Sequence, residues 1–229
     1  MPVIRDISLN LDMERVLRCQ GLGKQAKLKP QNIVLLNELL ASVNHLLQPA
    51  IAYALYSIAE IQHNQLHLEN RTILHGSLLP SLLTSARELA VALCTIGPRL
   101  EEKVADYFDR NEPLRGLMLD GIGSAAVDAL AQEACQFIER EAAPRGYKVS
   151  IPLNPGMSGW PIRNQWALFQ LVPAQQIGMH LTSRAVMVPR KSISMVIGMG
   201  PELPTRAQEP VCARCHLKET CSYRVYSES

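Results

Sequence analysis

Pro152-Leu-Asn-Pro-Gly-Met-Ser-Gly-Trp-Pro161 and Ser192-Ile-Ser-Met-Val-Ile-Gly-Met-Gly200 are the stretches whose reading decides the fold. The first packs three prolines and two glycines into ten residues. Asn154-Pro155-Gly156-Met157 suits a tight turn, because Pro155 presets φ and Gly156 accepts the positive φ of a type II turn. The second alternates like a strand: Ile193, Met195, Ile197 and Met199 share one face, and Ser194, Val196 and Gly198 share the other. Small residues on that second face let a neighbour approach the sheet closely. Between the two stretches, a short amphipathic helix with Trp166, Phe169 and Leu171 on one side precedes a strand-like run, Ile177 to Ser183. A basic loop, Arg184 to Lys191, then leads into the last strand. On strand physics alone this is a hairpin with a solvated loop.

Upstream, residues 3–9 alternate weakly as a strand. Asp12 can cap a helix over Met13 to Cys19 that stops at Gly21-Leu-Gly23. A longer helix is expected from Gln31 to Leu47, with Val34, Leu35, Leu39, Val43, Leu46 and Leu47 at helical spacing and Pro49 as its end. Ile58 to Ile61 and Leu66 to Leu68 read as strands of a meander. His63, His67 and His75 lie near these strands, but no carboxylate or cysteine pattern accompanies them, so they read as surface histidines. A helix from Gly76-Ser77 to Arg87 would pack Leu79, Leu82, Leu83 and Ala86.

Leu89 to Ile96 is a continuous apolar run of strand length, as in a strand buried on both faces. Gly97-Pro98 starts the next helix, with Glu101 and Glu102 near the positive end of its dipole. Residues 113–142 form one long helix or two abutting ones. Gly116, Gly121, Gly123, Ser124, Ala125 and Ala126 give it a surface suited to close backbone contact. No partner motif supports a catalytic role for Asp120 or Asp128. Lys148 to Ile151 returns as a strand. Helices and strands interleave, but the last strands follow one another over short connections. This favours α+β with a twisted, largely antiparallel sheet and flanking helices.

At 229 residues the chain can bury a sizeable core, and its 47% hydrophobic and 19% charged composition is that of a globular protein. No run reaches the roughly 18 apolar residues of a membrane span, and no secretory signal is visible, so a cytoplasmic location is expected. The formal net charge is +2, and no basic stripe or set of stacking aromatics points to nucleic acid.

Three segments in order carry a family resemblance: Pro155-Gly-Met-x-Gly-Trp-Pro161, Ile177-Gly-Met-x-Leu-Thr-Ser183, and Met187-Val-Pro-Arg-Lys-Ser-Ile-Ser-Met-Val-Ile-Gly198. They resemble the activation domain of cobalamin-dependent methionine synthase, and more closely its free-standing relatives in anaerobes. The resemblance covers residues 1–200 and implies an α+β fold around a twisted antiparallel sheet. It also implies a ligand site including Pro155, Gly156, Met157, Trp160, Thr182, Ser183, Arg190 and Lys191. In the family this domain binds S-adenosylmethionine and caps the cobalamin domain, so that methyl transfer rescues an oxidised cobalt. The family motif Arg-x-x-Pro-Gly-Tyr reads Pro152-Leu-Asn-Pro155-Gly156-Met157 here. The arginine and the tyrosine are therefore replaced. A Leu-Thr-Glu-Ser motif reads Leu181-Thr182-Ser183-Arg184, without its carboxylate. Weak or absent S-adenosylmethionine binding follows. Arg184, Arg190 and Lys191 could instead meet an anionic or carboxamide-rich edge of a corrinoid.

Residues 201–229 read as a separate cysteine-rich metal-binding tail, with Cys212, Cys215 and Cys221 in C-x2-C-x5-C spacing. A disulfide suits neither a cytoplasmic protein nor an odd number of thiols. Zinc needs a fourth ligand, and His216 adjoins Cys215, so their side chains diverge. An iron–sulfur cluster, of the 4Fe-4S type if three or four thiolates serve it, takes cysteines in such compact loops. The other cysteines, Cys19, Cys94 and Cys135, lie singly in apolar segments as small buried hydrophobes.

Three functions follow. One is an accessory protein for corrinoid-dependent methyl transfer, supporting reductive activation of a corrinoid-binding protein or methyltransferase, with an electron donor and the C-terminal cluster. Another is a non-catalytic binding or assembly module with a structural metal site. A methyltransferase using S-adenosylmethionine through a rearranged pocket is a third.

Overall fold

The computed structural model describes residues 2–21 and 28–203. Strand β1 (Val3–Ile4) is followed by α1 (Met13–Cys19), whose first turn is capped by Asp12 Oδ1 accepting the Arg15 N–H at 2.7 Å. Helix α2 (Pro30–Ser42) starts on a proline, where the missing N–H costs nothing. It tightens into a 3-10 turn at Val43–Leu46 instead of running on to Leu47. Val34 was expected on the apolar face of this helix and is 58% exposed; Leu36 and Leu39 carry the buried face.

Strand β2 (Ala50–Gln62) is far longer than the Ile58 to Ile61 run expected. Its first half is buried on both faces and its second half on one, so it carries no single alternation that a periodic reading could follow. Strands β3 (Gln65–Leu68) and β4 (Ile73–His75) complete a meander. Helix α3 (Leu78–Leu82) is one turn, not the longer helix expected to Arg87.

Then come β5 (Glu88–Thr95), α4 (Arg99–Asp109) and α5 (Pro113–Ala142), a single unbroken helix of 30 residues. β6 (Lys148–Val149), α6 (Gln165–Leu171), β7 (His180–Leu181), β8 (Met187–Val188) and β9 (Ser192–Gly200) finish the described chain. Of the run expected as a strand from Ile177 to Ser183, Ile177 ends a 3-10 turn and only His180 and Leu181 pair. β1 is likewise shorter than the 3–9 run expected.

One seven-stranded sheet runs β4-β3-β2-β5-β9-β6, with β1 beside β2, and β7 pairs with β8 alone. Every pairing is antiparallel. The fold is thus α+β around a largely antiparallel sheet, as the alternation and short late connections predict. β5 lies between β2 and β9 and is buried along both faces, which is why its sequence is uninterruptedly apolar.

The sheet separates two cores. On one side α1, α2 and α5 cover Ile51, Tyr53, Ala92, Cys94, Met195 and Ile197. On the other, Leu79, Leu83, Trp160, Leu168 and Leu171 cover Ala52, Leu89, Val91, Leu93 and Val196. The parity of β9 is as read: Ile193, Met195, Ile197 and Met199 meet the long helix, and Val196 faces away from it. Gly198 serves close approach, because a Cβ there would stand 2.5 Å from Leu83 Cδ2. Among the described residues no helix is long and apolar enough to cross a membrane.

Candidate functional site

The Pro-Gly-Met turn grows out of the sheet edge. Past β6 the chain stays beside β9, with Leu153 and Val196 exchanging both backbone hydrogen bonds at 2.9 and 2.8 Å. Asn154 then donates through Nδ2 to the Ser194 carbonyl at 2.9 Å. The chain reverses at once: the Met157 N–H reaches Asn154 O at 3.1 Å, and Gly156 sits at φ +99°. That geometry needs glycine and a preceding proline, as the sequence supplies. The Asn154 N–H donates to Met157 Sδ at 3.2 Å, which folds the thioether back over its own turn.

Trp160 closes this loop and does not line its outside. Its N–H bonds Met157 O at 2.9 Å, its carbonyl accepts from Gly156 at 2.8 Å, and its side chain is 1% exposed in the second core. Trp160, which the resemblance places in the ligand site, is a core anchor in this fold. A loop that winds around its own tryptophan buries it whatever the flanking glycines suggest. Its indole Nε1, like the Gln165 Oε1, is buried without a hydrogen-bond partner among the described residues. The loop is seated by backbone contact, with Leu78 N–H donating to Gly159 O at 3.2 Å. A Cβ at Gly76 would stand 2.5 Å from that carbonyl.

Thr182 and Ser183 occupy the tip between β7 and β8. The Thr182 hydroxyl accepts the Val186 N–H at 3.1 Å, and the Thr182 and Ala185 N–H groups close the turn at 2.9 Å each. Ser183, Arg184 and Arg190 are exposed. Their side chains have no ion-pair or hydrogen-bond partner among the described residues.

Lys191 goes elsewhere. Its Nζ lies 2.8 Å from Asp120 Oδ1 and 2.9 Å from Ser124 Oγ on α5, and its backbone N–H meets Glu101 Oε1 at 2.5 Å. It crosses Gly123, where a Cβ would stand 3.2 Å from Lys191 Cε. The small-residue surface read on α5 thus admits this side chain as well as the sheet. Lys191 has the same strand parity as Ile193 and Met195, and so faces the helical side, opposite Trp160. Lys191 and Trp160, both in the ligand site that the resemblance implies, therefore lie on opposite sides of the sheet.

Among the described residues no group of three His, Cys, Asp or Glu side chains could hold a metal. Cys212, Cys215 and Cys221 lie outside the described residues. Cys94 and Cys135 are buried side by side in the helical core, and burial pushes the Cys94 thiol well above its ordinary range, with Cys135 adding to it. Cys19 is half-buried and raised for the same first reason, then by Asp128, against Arg18 and Arg15. A cleft of about 590 Å³ between residues 5–9 and 44–49 includes none of the site residues read from sequence.

Sequence reasoning passed over Ile162 and placed Trp166 with Phe169 and Leu171 on one side of a short helix. Ile162 and Trp166 are 49% and 43% exposed, and Ile162 Cδ1 lies 3.3 Å from where a Cβ on Gly156 would stand. A signal was available: no Asp or Glu occurs from Ala142 to Pro201, although the chain holds 21 acidic residues.

The sequence matches no family model and no curated protein. Among solved structures, the MetH reactivation domain bound to AdoHcy superposes with a TM-score of 0.59 at 16% identity, over 87% of this chain and 73% of that one. Across that span the chain has the fold of the methionine synthase reactivation domain.

Proposed function

We propose that the protein is an accessory factor for corrinoid-dependent methyl transfer, supporting the return of a corrinoid-binding partner to its methyl-accepting state. The observation that carries this reading is the likeness to a reactivation domain over 87% of the chain. The Asn154-Pro155-Gly156-Met157 turn, with its carbonyls and N–H groups largely satisfied internally, supports it as a rigid feature at the sheet edge. Pro155, Gly156, Met157, Thr182, Ser183 and Arg190 remain the proposed contact residues. With the turn's own backbone groups and thioether engaged, the exposed Ser183 hydroxyl and Arg190 guanidinium would be the groups that meet a ligand beside it.

The tail supplies the second half of the reading. Cys212, Cys215 and Cys221 would hold an iron–sulfur cluster, and three thiols within ten residues are the donor set such a cluster takes. When bound, the cluster supplies one-electron transfer. Zinc on the same thiols would make the tail a structural knot. The burial of Trp160 and the internal pairing of Lys191 favour, as the second reading, a non-catalytic assembly module with such a knot.

The visible spectrum of the full chain purified without oxygen separates the two. Broad absorbance near about 400 nm that bleaches on reduction, lost when Cys212 and Cys215 are replaced by alanine, is expected for thiolate-bound iron and sulfide. Stoichiometric zinc without iron or sulfide would overturn the electron-transfer role and leave the module.

A further inference from the structure

The surface made by α6 and the β7–β8 hairpin has properties that the functional reading leaves unused. Ile162 and Trp166 are 49% and 43% exposed. They stand four residues apart where the turn Ile162–Asn164 runs directly into α6, so they share a face. A Cβ at Gly156 would lie 3.3 Å from Ile162 Cδ1, which joins this face to the Pro-Gly-Met turn. β7 packs against α6, and the hairpin tip that follows exposes Val186.

The charges on these elements are unbalanced. Arg163 and Arg184 are exposed and have no side-chain partner among the described residues. Two other cations between Ala142 and Pro201 are paired by carboxylates from outside that segment, Arg145 by Glu88 and Lys191 by Asp120, and no such carboxylate reaches Arg163 or Arg184 among the described residues. Here pairing is impossible within the segment, because no acidic residue occurs from Ala142 to Pro201. The whole chain is nearly neutral, at +2, so the excess is local.

We propose that this face docks an acidic protein, whose carboxylates meet Arg163 and Arg184 around an apolar centre that receives Ile162 and Trp166. Charge complementarity chooses the partner. Arginine and tryptophan concentrate binding energy at protein interfaces, and arginine takes carboxylates in bidentate fashion. A nucleic acid would call for a basic stripe along many phosphates, which two arginines beside exposed isoleucine and valine do not make. A membrane surface would call for a longer amphipathic helix than the seven residues of α6. The surface does not depend on what the partner carries, so it stands apart from the corrinoid reading.

The test uses the full chain in its own cells, with a benzoylphenylalanine crosslinker at exposed Gln170, one turn beyond Trp166, and a control at exposed Val34 on α2. Adducts from position 170 alone, to a protein peptide flanked by Asp and Glu, are expected. The purified partner is then titrated by anisotropy at about 50 and 300 mM salt, where screening separates charge from apolar contact. Binding should weaken about tenfold with salt and about tenfold in R163E/R184E, and at least fivefold in Trp166→Ala, with melting temperatures unchanged. Absent adducts, adducts to lipid or RNA, or unchanged affinity in R163E/R184E would each overturn the proposal. An acidic partner that holds no corrinoid supports this surface and overturns the functional reading instead.

Discussion

The side-chain amide of Asn164 holds both backbone polar groups of His75. Its Oδ1 accepts the His75 N–H at 3.0 Å, and its Nδ2 donates to the His75 carbonyl at 2.9 Å. The same Nδ2 reaches Pro161 O at 3.0 Å, and Asn164 is 5% exposed. A single amide thus imitates a neighbouring strand at β4, the outermost strand of the sheet, and ties that edge to the start of α6. Asn164→Ala leaves these groups unpaired and should cost about 2–3 kcal/mol. Asn164→Asp keeps the acceptor but turns a carboxylate oxygen toward two carbonyls, and should cost at least as much. Chemical denaturation would settle it; an unchanged midpoint in both variants would show that the clamp is idle.

Lys191 and Arg190 are adjacent in sequence and opposite in consequence. The Lys191 ammonium is 15% exposed and bridges Asp120 and Ser124, whereas Arg190 stands in solvent. Lys191→Ala should lower stability by about 1 kcal/mol, a shift of about 2–4 °C in a chain of this size. Arg190→Ala should leave the melting temperature where it is. Equal shifts would mean that the bridge contributes nothing and only strand propensity was changed.

The parity of β9 was legible because a strand buried on both faces still sorts by size: its methionines and isoleucines meet α5, and Gly198 meets Leu83. The same parity assigns Lys191 to the helical side, and a basic residue at a strand entrance reads as solvated only if that count is ignored. The burial of Trp160 and the exposure of Trp166 were not legible, for a different reason. Helical spacing gives Trp166 a face, but whether that face is covered depends on distant chain. A Gly-Trp-Pro loop has no period at all, so the inward turn of Trp160 leaves no sequence trace. β2 was lost because its burial changes from two-sided to one-sided along its length.

Cys94 and Cys135 should resist alkylation. Cys135 on α5 and Cys94 on β5 are both buried in the core between helix and sheet, and desolvation raises the Cys94 pKa, so its reactive thiolate is scarce. Native protein at pH 8 should label these two at least about tenfold more slowly than denatured protein. The raised pKa also sets a sign. Below about pH 8.5 the thiol is neutral in both states and costs nothing. Above it the unfolded chain loses the proton first, so stability falls as pH rises, and Cys94→Ala should flatten that decline. Peptide mapping and a pH series of melting temperatures would check both points; rapid native labelling of Cys94 would contradict the burial.

S-adenosylmethionine should bind weakly or not at all. By the resemblance of the Pro152 to Met157 segment to the family motif, Pro152 replaces an arginine and Met157 a tyrosine. Two further groups of the site are already engaged: the Thr182 hydroxyl takes the Val186 N–H, and the Met157 thioether takes the Asn154 N–H, which leaves the exposed Ser183 and Arg190 as its open polar side chains. Each missing charged hydrogen bond is worth about 1.5–3 kcal/mol, on the order of ten- to a hundredfold in affinity. Calorimetric titration should therefore give a dissociation constant no tighter than about 100 μM for S-adenosylmethionine, and similarly for AdoHcy. Restoring the pair as Pro152→Arg with Met157→Tyr should recover at least about tenfold, since the turn that carries them needs only Pro155 and Gly156 to form. A micromolar constant in the unaltered protein would show that the turn binds through its backbone without those side chains. No gain in the double variant would show that position 152 does not face the ligand, and the pocket would then have to be sought away from the turn.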